Sequence, residues 1–169
     1  RGNQELMKYA QTDALTGLYN KETTKLRTDE ILSTDKDMIH AFLILDMDCF
    51  KQINDGYGHA VGDIVLQKFG QLLRDIFRED DIVGRIGGDE FVVVMKNIKM
   101  KEMAIAKAEE LLTKTQQYEI KELNGSAISI SIGIAMAPED GDCYMDLYKR
   151  ADQALYQAKR SGKARVCGY

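Results

Sequence analysis

The sequence predicts an α+β domain with a ferredoxin-like β-α-β-β-α-β core and flanking helices. Three observations carry that prediction. The run "AFLILDMD", Ala41 to Asp48, is continuously apolar and ends in acids, as a buried strand with a polar carboxyl end should. In "DIVGRIGGDEFVVVM", Asp81 to Met95, two apolar runs flank Gly87-Gly88 and read as a hairpin. The stretch "SAISISIGIA" alternates Ile and Ser and reads as a further strand. A helix-patterned segment separates the first strand from the hairpin, and another separates the hairpin from the last strand. From Ala41 to Ala135 the order is therefore β-α-β-β-α-β, an antiparallel sheet with helices expected on one face.

Each element has its own signal. Residues 4–10, "QELMKYA", read as the end of a helix entering from upstream. Residues 1–12 are thus expected to end a connecting helix, and 13–169 to form the domain. The chain starts at Arg1 rather than Met, which leaves room for an upstream segment. Asn20 is a suitable N-cap for a helix over about 21–33. In "HAVGDIVLQKFGQLLRDIF", Val61, Val65, Leu66, Phe69, Leu72, Leu73 and Ile76 share one face at a period near 3.6. The hairpin strands are expected near 82–86 and 90–95, with the paired glycines suiting a turn that needs positive φ. "KEMAIAKAEELLTKTQQY" reads as a helix. A last helix, about 144–161, should bury Leu147, Ala151, Ala154, Leu155 and Ala158.

The bulk numbers narrow the function. At 169 residues and 44% hydrophobic, the chain is one domain with a full core. Its 23 Lys and Arg against 27 Asp and Glu give a formal charge of −4, which argues against a nucleic-acid surface driven by charge. The three cysteines, Cys49, Cys143 and Cys167, lack metal-ligand spacing and read as reduced thiols, so a cytoplasmic location is expected. No apolar run approaches the roughly 20 residues needed to span a bilayer.

The acids carry the chemistry. In the expected topology the first strand lies beside the hairpin. Asp46 and Asp48 at its end would then meet Asp89 and Glu90 at the hairpin turn. Carboxylates brought together repel one another unless a cation sits among them. Oxygen ligands favour Mg²⁺ or Mn²⁺, and Mg²⁺ commonly completes its shell with water and substrate phosphates. A nucleoside triphosphate is the expected substrate. The plainer alternative is that these are ordinary turn and loop acids. That suits either pair alone better than two pairs brought to one place.

The stretch "GGDEF", Gly87 to Phe91, resembles the signature of the GGDEF domain, the diguanylate cyclase family. It is not alone. "DALTGLYN" (Asp13–Asn20), "DMDCFKQINDGYGHAVGD" (Asp46–Asp63), "SISIGIA" (Ser129–Ala135) and "ADQALYQAKRSGKAR" (Ala151–Arg165) resemble further family motifs, in family order. The resemblance implies condensation of two GTP into cyclic di-GMP, with two pyrophosphates released. It also implies a palm-like fold, metal dependence and a homodimer of catalytic domains, each holding one GTP. Control by an upstream sensory or dimerising domain follows, and nucleic acid is not an expected partner.

Carried over residue by residue, the resemblance makes Asp46 and Asp89 metal ligands, with the carbonyl of Met47 a further one. Glu90 ligates a second metal or assists deprotonation of the ribose 3′-hydroxyl. The loop Cys49-Phe50-Lys51 should lie against the triphosphate, joined by Lys159 and Lys163. Lysines near a helix C-terminus also complement its dipole, which is the structural alternative. Asn54 and Asp63 match the guanine-binding pair. A carboxylate can accept from guanine N1–H and N2–H together, and adenine would leave it unpaired. Asp48 is either a companion of Asp46 or a residue serving the loop that follows. Arg78 and Asp81, with five residues between Asp81 and Gly87, match an inhibitory product site. A solvated ion pair at a helix end is the alternative there. Asp13 and Arg85 suit a structural ion pair, and neither His40 nor His59 is assigned to catalysis. The rival functional reading is a catalytically silent GTP or cyclic di-GMP receptor, but such a module is expected to have lost the acids that are present here.

Overall fold

The computed structural model describes residues 1–169, the side chain of Tyr9 excepted. Its elements, in chain order, are α1 (Gly2–Gln11), α2 (Lys21–Thr34), β1 (Ile39–Met47), α3 (Phe50–Tyr57), α4 (His59–Ile76), β2 (Ile82–Arg85), β3 (Glu90–Ile98), α5 (Lys101–Gln117), β4 (Ile130–Ala137), α6 (Tyr144–Arg160) and β5 (Val166–Gly168). The five-stranded sheet has the order β2-β3-β1-β4-β5. β1 is central and antiparallel to both β3 and β4, while β5 joins β4 in parallel. The β-α-β-β-α-β order is as the sequence predicts. Among the described residues no helix is long and apolar enough to cross a membrane.

The two core helices, α4 and α5, lie on one face as expected, and the flanking helices α2 and α6 cover the other. Leu43, Leu45, Val93, Ile132 and Ile134 turn to one side, where they pack with Val65, Phe69 and Leu73 of α4 and Leu111 of α5. Phe42, Ile44, Val92 and Val94 turn to the other, against Leu32 of α2 and Leu147, Ala151 and Leu155 of α6. The flanking helices thus close the second face. This is the reason β1 reads as a continuous apolar run: a strand covered twice has no solvent side to alternate toward. The Ile–Ser alternation of β4 has the same origin. Its Ile side faces α4 and α5, and its small-residue side faces α6. Gly133 is needed there, because a Cβ would lie 2.2 Å from the carbonyl oxygen of Ala151 and 2.4 Å from the amide nitrogen of Leu155.

Asn20 caps α2 as expected, its side chain accepting from the amide of Thr23 at 3.0 Å. Two local expectations change. Residues 50–57, read as a loop at Cys49-Phe50-Lys51, form the short helix α3, entered through Cys49 at a left-handed φ of 59°. Eight residues with a glycine and two Asx residues give too weak a periodic signal to be read as a helix. Gly87 and Gly88 do not take positive φ. Nor does packing within the domain demand them: among the described residues a Cβ on Gly88 would meet nothing within 4 Å, and one on Gly87 would meet only the Glu90 side chain, at an ordinary 3.6 Å.

Candidate active site

The strand register brings three of the four predicted acids, Asp46, Asp89 and Glu90, together. Asp46, on the last turn of the pleat in β1, pairs directly with Glu90, the first residue of β3. The amide of Met47 donates to the carbonyl of Asp89 at 3.3 Å, which ties the hairpin turn to the end of β1. Burial, together with the neighbouring Asp89 carboxylate, pushes the Asp46 carboxyl up to about 6, despite an ion pair to Lys159 at 2.7 Å. One Asp46 oxygen, Oδ1, is buried with no hydrogen-bond partner among the described residues. Burial also raises Glu90, and the charges of Asp46 and Asp152 add to it. The Tyr148 hydroxyl donates to Glu90 at 2.5 Å and works the other way. Burial lowers the Lys159 ammonium, but the Asp46 carboxylate outweighs it and holds Lys159 above its ordinary value.

A divalent cation fits this donor set. Oxygen ligands come from two chain segments, Lys159 offsets their mutual repulsion only in part, and an orphaned oxygen sits among them. The carboxylates do not close to ligand spacing around a common point. Among the described residues the group of three ligand atoms within 4.8 Å of one another is Asp142, Cys143 and Asp146, at the start of α6. At Asp46 the place of the counter-charge is taken by Lys159.

The phosphate and guanine candidates lie next along the chain. Cys49 in its left-handed conformation turns the backbone into α3, so the first N–H groups of that helix have no helical partners. Lys163 reaches toward the same corner, with Nζ 3.5 Å from the Cys49 sulfur. Lys51 and Asp63 are exposed and Asn54 is half-buried. The Asn54 carboxamide lies over Gly62 of α4, where a Cβ would stand 1.9 Å from its oxygen. Gly62 thereby leaves room for the Asn54 side chain against the first turn of α4.

Asp48 is not a companion of Asp46. It is 5% exposed and accepts from Ser129 and Ser131 at 2.6 and 2.7 Å and from the amide of Ala164 at 3.1 Å. Asp13 and Arg85 form the expected ion pair at 3.1 Å, and Arg85 also donates to the carbonyl of Gly88 at 2.9 Å. Burial raises Asp13, but hydrogen bonds from Thr16 and the Arg85 charge win, leaving it below its ordinary value. The pair braces the hairpin turn from outside. His40 is buried between the backbones of Asp35 and Asn97, and His59 opens α4.

Arg78 and Asp81 stand at the other end of the hairpin. Asp81 is fixed, accepting from the amides of Arg78 at 3.1 Å and Lys96 at 3.3 Å. Arg78 is the more exposed partner: its side chain is 57% exposed, meets Asp81 at 3.5 Å and donates to the carbonyl of Lys96 at 2.8 Å. A cavity of about 310 Å³ opens beside them, bounded also by Tyr19, Arg74 and Phe77.

Sequence reasoning missed Tyr148. The signal was present: Tyr148, Asp152, Leu155 and Lys159 are spaced at helical turns, so the residue reaching Glu90 and the one reaching Asp46 share a face of α6.

Known proteins share this sequence pattern and fold. The family model described as "Diguanylate cyclase, GGDEF domain" matches residues 10–165. Diguanylate cyclase DgcS of Shewanella oneidensis is 37% identical over 163 residues, covering 95% of this chain and 53% of that protein. The GGDEF domain of TpbB from Pseudomonas aeruginosa superposes with a TM-score of 0.86 at 35% identity, covering 93% of each chain. The coiled coil and GGDEF domain of DgcB from Caulobacter crescentus, solved with c-di-GMP, gives 0.90 at 24% identity, covering 99% of this chain and 90% of that one. That last likeness is one of fold. The chain spans from about a quarter to about half the length of the first curated relatives it matches.

Proposed function

The chain belongs to the GGDEF family of diguanylate cyclases, and on that premise we propose that it condenses two GTP into cyclic di-GMP and releases two pyrophosphates. The observation that carries this reading is the meeting of Asp46 and Glu90 across adjacent strand ends, with a buried Asp46 oxygen left unpartnered. Asp46, Asp89 and the Met47 carbonyl would hold Mg²⁺ or Mn²⁺. When bound there, the ion would supply positive charge against the charge that develops when a ribose 3′-oxygen attacks an α-phosphate and pyrophosphate departs. Glu90 either completes the metal site or takes the 3′-hydroxyl proton, and Tyr148 fixes its orientation.

The remaining residues bind and orient. The leading N–H groups of α3, at Cys49, Phe50 and Lys51, face the triphosphate, and Lys51, Lys159 and Lys163 supply positive charge. Asn54 and Asp63 read the guanine edge. Each domain holds one GTP, so two domains must face each other, and α1 continues upstream into the segment that brings them together. The domain acts in the cytoplasm, where GTP is found. Arg78, with Asp81 behind it, binds cyclic di-GMP as an inhibitor, the adjoining cavity accommodating a guanine. A silent receptor is the weaker reading, because the acids and the guanine pair are all retained.

The test is incubation of the purified domain with GTP and Mg²⁺ at high protein concentration, with products identified by mass spectrometry. Cyclic di-GMP from the parent and none from Asp89→Ala supports the proposal. A domain that stays silent when forcibly dimerised, yet binds GTP, supports the receptor. Arg78→Ala should keep its turnover and lose inhibition by added product.

A further inference from the structure

Three segments far apart in sequence meet at one buried carboxylate. Asp48 follows β1, Ser129 and Ser131 lie at the start of β4, and Ala164 lies in the turn between α6 and β5. The Asp48 amide also donates to the carbonyl of Ser129 at 2.8 Å. With hydroxyls on both oxygens and an amide on one, Asp48 has its acceptors filled, which makes its burial affordable.

The turn it holds is an unusual one. Lys163 and Ala164 both take left-handed φ, at 64° and 49°. Neither is a glycine, so each conformation is costly and persists only where the surroundings impose it. The turn is anchored on one side by the Lys163 amide on the Ala158 carbonyl at 3.0 Å, and on the other by the Ile132 amide on the Arg165 carbonyl at 3.0 Å. Asp48 supplies the anchor between them, at the Ala164 amide. Held this way, Lys163 carries its ammonium to Cys49 at the start of α3.

We infer that Asp48 is a positioning residue: its carboxylate clamps the left-handed Lys163–Ala164 turn to β1 and β4, and so places Lys163 at the phosphate corner of the site. The inference rests on the proposed phosphate role of Lys163. It assigns Asp48 no contact with metal or nucleotide. It also explains the serines of β4, since Ser129 and Ser131 hold the carboxylate in the orientation that receives the Ala164 amide.

The experiment measures two quantities on the same variants. Hydrogen exchange at the Ala164 amide reads the clamp, and calorimetric affinity for a non-hydrolysable GTP analogue with Mg²⁺ reads its consequence. Asp48→Ala should speed the exchange and weaken the analogue by about tenfold, the scale of one charge-assisted contact. Lys163→Ala should weaken the analogue similarly, and the double variant should be no weaker than Lys163→Ala alone. Asp48→Asn, whose remaining oxygen can still accept from Ala164, should restore most of both properties. Unchanged exchange at Ala164 in Asp48→Ala overturns the clamp. Multiplying effects in the double variant overturn the route through Lys163. If Lys163→Ala binds the analogue normally while exchange at Ala164 still rises in Asp48→Ala, the proposal fails through the phosphate reading and not through the clamp. Should Asp48→Ala not fold, Ser129→Ala with Ser131→Ala takes its place, with faster exchange and about threefold weaker binding expected; unchanged values there overturn the proposal equally.

Discussion

Asp46 and Asp48 are two residues apart at the end of the central strand, and their surroundings are opposite. Asp48 has both oxygens filled by Ser129, Ser131 and Ala164. Asp46 has one oxygen on Lys159 and one buried with no partner among the described residues. The same side chain serves as a fastening in one place and as an open ligand in the other. Hydrogen-bond satisfaction separates the two roles: a finished network gives rigidity, and an unfinished one is a place where something binds.

The largest expected effect concerns activity. Asp46→Ala should lower cyclic di-GMP formation by roughly a thousandfold or more, as loss of transition-state charge stabilisation does, while its thermal midpoint stays at or above that of the parent. A midpoint collapse would place Asp46 with Asp48 among the fastenings. Asp48→Ala should instead cost about 2–3 kcal/mol of stability, because it leaves the buried Ser131 hydroxyl and the half-buried Ser129 hydroxyl unpaired. Chemical denaturation checks this, and a loss below a few tenths of a kcal/mol would mean that the hydroxyls find other partners. Asp63→Ala tests the guanine corner. GTP should lose about 10- to 100-fold in kcat/KM while ATP changes little, and equal losses for both nucleotides would remove Asp63 from base recognition.

The smallest effect concerns pH. The Asp46 carboxyl stands at about 6 in the folded domain against an ordinary 3.8, chiefly through burial and with a contribution from Asp89. The folded state therefore binds this proton more tightly than the unfolded chain does. Its destabilising contribution is absent below the ordinary value, grows as pH rises through that window and is complete above about 6. Asp46→Asn should then stabilise the metal-free domain at pH 7.5, by on the order of 1–2 kcal/mol, and lose that advantage as pH falls toward 4 (an order-of-magnitude endpoint). Thermal melts at several pH values check this, and a gain independent of pH would contradict the buried-charge account.

The comparison also shows what the sequence could express. The long elements were legible because their burial is periodic: the Val65–Phe69–Leu73 stripe of α4 and the apolar run of β1 each declare one geometry. The convergence of Asp46 with Asp89 and Glu90 followed from topology alone. Asp48 was not legible, because its partners lie 81 and 83 residues away and serines in an alternating strand pass for a solvent face. Helix α3 escaped for the opposite reason. It is short, and its start is set by the backbone of Cys49 rather than by a capping side chain. The glycines of the hairpin were recognised, but they form no left-handed turn, and neither a positive φ nor a close contact within the domain accounts for them.

The measurement that tests the central claim most directly is Mn²⁺ binding to the nucleotide-free domain, followed by electron paramagnetic resonance, in the parent, Asp46→Ala and Asp48→Asn. The account predicts that the parent and Asp48→Asn bind the ion alike and that Asp46→Ala does not. Equal binding by all three would mean that the unpartnered oxygen of Asp46 is not where the cation sits, and the assignment of this strand end as the catalytic centre would fall with it.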